Sequence, residues 1–190
     1  MKKMLTHSEI EKAKNKFNLE FFLDPEAMKG FTPINVHWDL KGQPLEALQK
    51  FDKNCYELIE KFVSFLKDKL GAQNIKHPGV YLWQDKSGCF SKNLPLMGKS
   101  DIIYIGKATK NIASRQIKAI EYPVDFFKAR IAAWLAAQDK FTIWYKKLDS
   151  NGVEKMETDL LAAHFAIFGS YPFLNMRIGV QFKVCECFSK

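Results

Sequence analysis

The stretch IIYIGKATKNIASRQ, residues 102–116, decides how this chain is read. Ile102 to Ile105 are β-branched or aromatic and predict a strand. Gly106 is followed at once by Lys107, and nine residues after the glycine Arg115 stands alone on a predicted helix with Asn111 as its N-cap. A buried strand needs neither cation. A site that grips a phosphate uses both, because a guanidinium meets phosphate oxygens in a planar fork and an ammonium adds a point charge.

Upstream, GAQNIKHPG (71–79) punctuates the chain and VYLWQ (80–84) predicts a strand antiparallel to 102–106. The loop between them is rich in Lys and Gly, with a short bulged strand expected around Cys89 and Phe90. Downstream, the helix opened by Asn111 ends near Tyr122 and Pro123, and a second helix over about 125–137 buries Phe127, Ile131, Trp134 and Leu135. KFTIWYKKL (140–148) predicts a third strand, Ser150-Asn151-Gly152 a turn, and about 154–168 a helix stopped by Gly169. A final strand is expected in GVQFKVCECF (179–188). Strand, strand, helix, helix, strand, helix predicts an α+β domain over 76–190: a small antiparallel three-stranded sheet flanked by helices.

Residues 1–75 predict a mostly helical N-terminal extension. A helix over 8–16 has Ser8 as its cap and Glu11 three residues on. Asp24-Pro25 and Thr32-Pro33 break the chain. A long helix is expected over about 44–70, where Leu48, Phe51, Cys55, Leu58, Phe62 and Phe65 form one apolar stripe. That stripe reads as core or a packing face, with a homodimer seam as the minority alternative.

Of 190 residues, 47% are hydrophobic, with 16 Phe, enough for a sizeable core. No run is long enough to cross a bilayer, and Met1-Lys2-Lys3 is not followed by the apolar segment of a signal peptide. A cytoplasmic protein with no membrane partner is expected. The cysteines, Cys55, Cys89, Cys185 and Cys187, lack zinc-site spacing. Cys185 and Cys187 could hold a metal or a disulfide, but read more simply as small apolar residues of a terminal strand. The net charge is +8, and its placement is uneven: residues 1–75 carry 12 basic and 11 acidic side chains, residues 76–190 carry 17 and 10. The second part favours a polyanionic partner, most simply nucleic acid.

On the last predicted helix Glu157, Leu160, Leu161, His164 and Phe168 share a face. Glu157 is therefore a carboxylate on the inward side, which needs a cation, hydrogen bonds or a raised pKa. The alternative is a first-turn glutamate turned back to solvent by the helix dipole, and this helix alone favours that alternative. His164 reads as a hydrogen-bonded core histidine.

Gly79-Val80-Tyr81 on one strand, Tyr104-Ile105-Gly106 on the next, then Lys107, Arg115, Glu157 and Pro172-Phe173-Leu174-Asn175 form an ordered set. This set resembles the GIY-YIG nuclease family over about Gly79 to Asn175, roughly half of the chain. The resemblance implies a metal-dependent endonuclease that hydrolyses phosphodiester bonds of double-stranded DNA, of the restriction or mobile-element type. It implies Glu157 as ligand of one Mg²⁺ or Mn²⁺, Arg115 as phosphate clamp, and Asn175 as a residue fixing the site's geometry. It places Tyr81 and Tyr104 side by side, with Tyr81 as general base, Tyr104 orienting water or phosphate, and Lys107 lowering the tyrosine pKa. The N-terminal helices would recognise DNA or build a homodimer. The chain departs from the family in having Val80 for isoleucine, 22 residues between the two tyrosines, and Ala119 where a tyrosine or histidine is usual one turn after the arginine. Ala119 favours the alternative of a non-catalytic nucleic-acid-binding module on the same fold. A structural, partner-binding α+β protein is the third reading.

Overall fold

A computed structural model describes residues 6–24, 28–50, 52–73, 75–90, 100–120 and 126–175. Helices α1 (His7–Lys16) and α2 (Leu19–Leu23) come first, then strand β1 (Thr32–Val36), a 3-10 turn (Leu45–Gln49) and helix α3 (Lys53–Ala72). Strands β2 (Gly79–Asp85) and β3 (Ile102–Ala108) precede helices α4 (Ile112–Ile120) and α5 (Phe126–Ala137). Strand β4 (Phe141–Lys147), helix α6 (Ser150–Phe168) and a 3-10 turn (Phe173–Asn175) follow.

The architecture is α+β, as expected, but among the described residues the sheet has four strands rather than three. Its order is β1-β4-β2-β3, with every neighbouring pair antiparallel. The added strand is β1, whose Pro33 suggested a chain break. Pro33 lies opposite Trp144 on an edge strand, where a missing N–H need not interrupt the sheet.

Side chains alternate across the sheet and divide the core in two. Ile34, Val36, Tyr81, Trp83, Tyr104, Phe141, Ile143 and Tyr145 face α3, α4 and α5. Val80, Leu82, Ile102, Ile105 and Trp144 face α1, α2 and α6. The chain before residue 76 thus supplies an edge strand and helices on both faces.

Several boundaries move for local reasons. The first helix is capped by Thr6, whose Oγ1 accepts from Glu9 N at 3.2 Å while the Glu9 carboxylate accepts from Thr6 N at 2.8 Å. Thr6/Glu9 has the same spacing as Ser8/Glu11 and closes both bonds. The expected helix over 44–70 is a 3-10 turn followed by α3, which Asp52 starts by accepting from Cys55 N at 3.0 Å. Leu48, Cys55, Leu58 and Phe62 of the stripe are buried in the core. Ser150-Asn151-Gly152 is the first turn of α6, because the Asp149 carboxylate takes up Gly152 N at 2.7 Å. Gly169 ends that helix as expected, in the left-handed conformation at φ 74°. Cys89 and Phe90 are helical, and the sheet's irregularity falls instead between Trp83 and Gln84 in the β2–β3 pairing. The expected strand over 179–188, Cys185, Cys187, Phe51 and Tyr122 lie outside the described residues. Among the described residues no helix is long and apolar enough to cross a membrane.

His164 is fully buried, edge-on to Phe22 and beside Phe168, and its Nδ1 lies 2.7 Å from the Ser170 carbonyl oxygen. The carbonyl only accepts, so Nδ1 carries the proton. Burial lowers the pKa to about 4, from the ordinary 6.5. A depressed histidine stabilises the fold above its unfolded pKa, and that stability is lost as pH falls through 6.5 towards 4. The loss at pH 4 should be about 3 kcal/mol at most. Urea midpoints measured between pH 7 and 4 should therefore drop, and drop less in His164→Asn, whose amide can still donate to Ser170.

Candidate active site

The site assembles at the end of edge strand β3. Tyr81 sits opposite Gly106 and Trp83 opposite Tyr104, so the two tyrosines are diagonal neighbours on one face, with ring centroids 5.9 Å apart. The expected side-by-side arrangement is therefore a diagonal one. The Tyr81 ring lies against Gly106: a Cβ on that glycine would stand 2.7 Å from the tyrosine hydroxyl oxygen. Gly79 is constrained more tightly still, since a Cβ there would come within 2.1 Å of a backbone atom, the Lys146 carbonyl oxygen. Both glycines of the two tripeptides are thus required by close approach rather than by backbone conformation.

The tyrosines differ in environment. Tyr81 is 0% exposed and its hydroxyl has no hydrogen-bond partner of normal geometry among the described residues. Burial raises its pKa well above 10, the neighbouring Tyr104 and Glu157 add to the rise, and Arg115 opposes it. This is the reverse of the lowered pKa that a general base requires. Tyr104 is 8% exposed, packs against Trp83 at 4.9 Å, and has the Lys128 ammonium over its ring at 4.7 Å. Trp83 is fixed in turn by its indole N–H donating to Gln116 Oε1 at 2.6 Å.

Arg115 is on the first turn of α4, where Asn111 caps the helix as expected by accepting from Ser114 N at 3.0 Å. Its side chain is exposed and makes no ion pair among the described residues, yet its charge acts on the Tyr81 hydroxyl. Ala119, one turn on, is also in α4.

Lys107 points to the opposite face from the tyrosines, towards α6. Its ammonium lies 3.0 Å from Glu157 Oε2 and 2.5 Å from Glu154 Oε1. Partial burial works against the lysine's charge, but bonds to Glu154 and Glu157 outweigh it and raise the pKa. The cation that an inward Glu157 needs is therefore Lys107, and the lysine expected to tune a tyrosine is held by two carboxylates.

Asn175 binds the same strand. Its amide oxygen accepts from Ile105 N and its amide nitrogen donates to Ile105 O, both at 2.7 Å. A side-chain amide thus stands in for a peptide unit and occupies the free edge of β3 between Tyr104 and Gly106. It positions the strand, and among the described residues its amide has no other hydrogen-bond partner.

Glu154 and Lys128 were not singled out in the sequence. Glu154 had a visible signal, because it precedes Glu157 by three residues on one helix and reaches the same neighbour. Lys128 had none, since its place over Tyr104 depends on how α5 packs.

Among the described residues no group of three or more His, Cys, Asp or Glu side chains could hold a metal ion. Glu157, with Glu154 a turn away, fits a different demand. Mg²⁺ keeps several waters and takes one or two carboxylates together with substrate phosphate oxygens. The donor set is compatible with such an ion once Lys107 shifts. Comparison with protein-family models, curated proteins and solved structures found no match.

Proposed function

We propose that this protein is a metal-dependent endonuclease that hydrolyses phosphodiester bonds of double-stranded DNA, with a GIY-YIG-like site and Mg²⁺ or Mn²⁺ as cofactor. One observation carries the reading: the two motif tyrosines meet on adjoining strands, with ring centroids 5.9 Å apart, and the strand that carries Tyr104 engages the inward Glu157 through Lys107 at 3.0 Å. Arg115 is exposed and free to grip a phosphate in its planar fork. Glu157 would hold the ion, which when bound stabilises charge on the scissile phosphate and the leaving 3′ oxygen. Tyr104, the more accessible phenol, takes the role of general base or water-orienting group. Tyr81 supports it from the core, and Asn175 holds β3 in register.

The charge surplus of residues 76–190 supports a DNA partner. A restriction-type or mobile-element enzyme of the cytoplasm fits this activity, with a homodimer as its simplest route to cutting both strands. Supercoiled plasmid incubated with Mg²⁺, Mn²⁺ or EDTA tests the reading. Nicked and linear DNA should appear with either ion and not with EDTA; intact plasmid under all three conditions rejects catalysis.

A second reading has its own support. The raised pKa of Tyr81 and the engagement of Glu157 by Lys107 suit a non-catalytic nucleic-acid-binding module on the same fold. That module would bind plasmid in gel shifts, with affinity falling steeply with salt, and never cut it.

A further inference from the structure

The proposed metal ligand already has a cation. Lys107 Nζ sits between Glu157 Oε2 at 3.0 Å and Glu154 Oε1 at 2.5 Å, two carboxylates sharing one ammonium. The three side chains are not equally exposed: Glu157 is 16% exposed, Lys107 27%, and Glu154 71%. Glu157 is held by the packing of α6 on the sheet, whereas Glu154 has room to swing outward. An ammonium 3.0 Å from a carboxylate oxygen stands where a dication would approach, and two cations so close repel.

We infer that Lys107 is a built-in competitor for the metal at Glu157, and that Glu154 is the alternative partner that takes Lys107 when Glu157 engages the ion. The inference rests on the proposed role of Glu157 as metal ligand. No bond is broken and no proton moves; one ion pair is exchanged for another. Glu154 is then a positioning residue, touching neither phosphate nor the reacting atoms. The consequence is a site that holds divalent metal weakly alone and well only when a phosphate adds its own oxygens. Metal uptake would be linked to DNA binding without any change of fold.

The test measures metal binding without DNA, by Mn²⁺ titration followed through the electron paramagnetic resonance of the free ion. The proteins are the full chain and its Lys107→Met, Glu154→Gln, doubly substituted and Glu157→Gln variants, each first checked for an unchanged thermal melt. Lys107→Gln replaces Lys107→Met should the latter not fold. Lys107→Met should bind Mn²⁺ about fivefold more tightly, the size of one partly exposed ion pair. Glu154→Gln should bind more weakly, because Lys107 then has Glu157 as its remaining carboxylate. The gain from Lys107→Met should be about threefold larger in the Glu154→Gln background than in the parent, a coupling expected of groups in direct contact. Independent, multiplicative effects would overturn the partner exchange, since charges acting only through space give that result. No gain from removing Lys107 would overturn the competition. Glu157→Gln with parental affinity, or no saturable binding by the parent and Lys107→Met alike, would instead reject Glu157 as the ligand. The two failures are therefore distinguishable.

Discussion

Glu157→Gln should lose metal-dependent DNA cleavage by about 10³-fold or more, while DNA binding holds or strengthens. An ion at the scissile phosphate contributes several kcal/mol of transition-state stabilisation, and each 1.4 kcal/mol is about tenfold in rate. The amide keeps the shape of the carboxylate but not its charge, so the ligand is lost and a negative charge beside the phosphate goes with it. Folding should be little affected. The lost partner is Lys107, which keeps Glu154, and a partly exposed pair is worth roughly 1 kcal/mol or less. Single-turnover plasmid nicking and gel shifts at one salt concentration measure the two halves of the prediction. Parental cleavage by the variant would remove Glu157 from the site.

The second large effect separates the tyrosines. The sequence pointed to Tyr81 as general base, but a base must touch water and lose its proton near neutral pH. Tyr81 is sealed in the core with its pKa raised, and Tyr104 is the partly accessible phenol. Tyr104→Phe should therefore lower the single-turnover rate about 10²–10⁴-fold, the usual range for a general acid–base group. Tyr81→Phe should cost far less in rate. It also deletes a buried hydroxyl that has no partner of normal geometry among the described residues, so stability should stay level or rise by up to about 1–3 kcal/mol. Rates against pH and urea midpoints for both variants decide the matter. A dead Tyr81→Phe with a healthy Tyr104→Phe would mean that the Tyr81 hydroxyl is uncovered when DNA binds and serves as the base after all.

Local pattern determined much of this molecule. The three strands over 79–85, 102–108 and 141–147 announced themselves through runs of β-branched and aromatic residues, and Asn111 and Gly169 marked helix ends through their own bonds and backbone geometry. The inward face of α6, with Glu157 beside Leu160 and His164, followed from helical spacing alone. These features depend on neighbours within a few residues, which a sequence displays. Tertiary structure alone decided the rest. Pro33 became part of an edge strand because Trp144 and its neighbours were there to pair with it. Tyr81 lost its access to water because α4 and α5 cover the face on which its ring crosses Gly106. Lys107, adjacent in sequence to the motif of Tyr104, points away from it, because side chains alternate along a strand, and it meets two carboxylates some fifty residues downstream. Asn175 reached Ile105 across 70 positions by offering a peptide-like amide to an open strand edge. In each case residue type was legible in sequence, but the sign of its effect, a phenol made less acidic or a lysine held charged between two carboxylates, depends on burial and on charges brought close only by the fold.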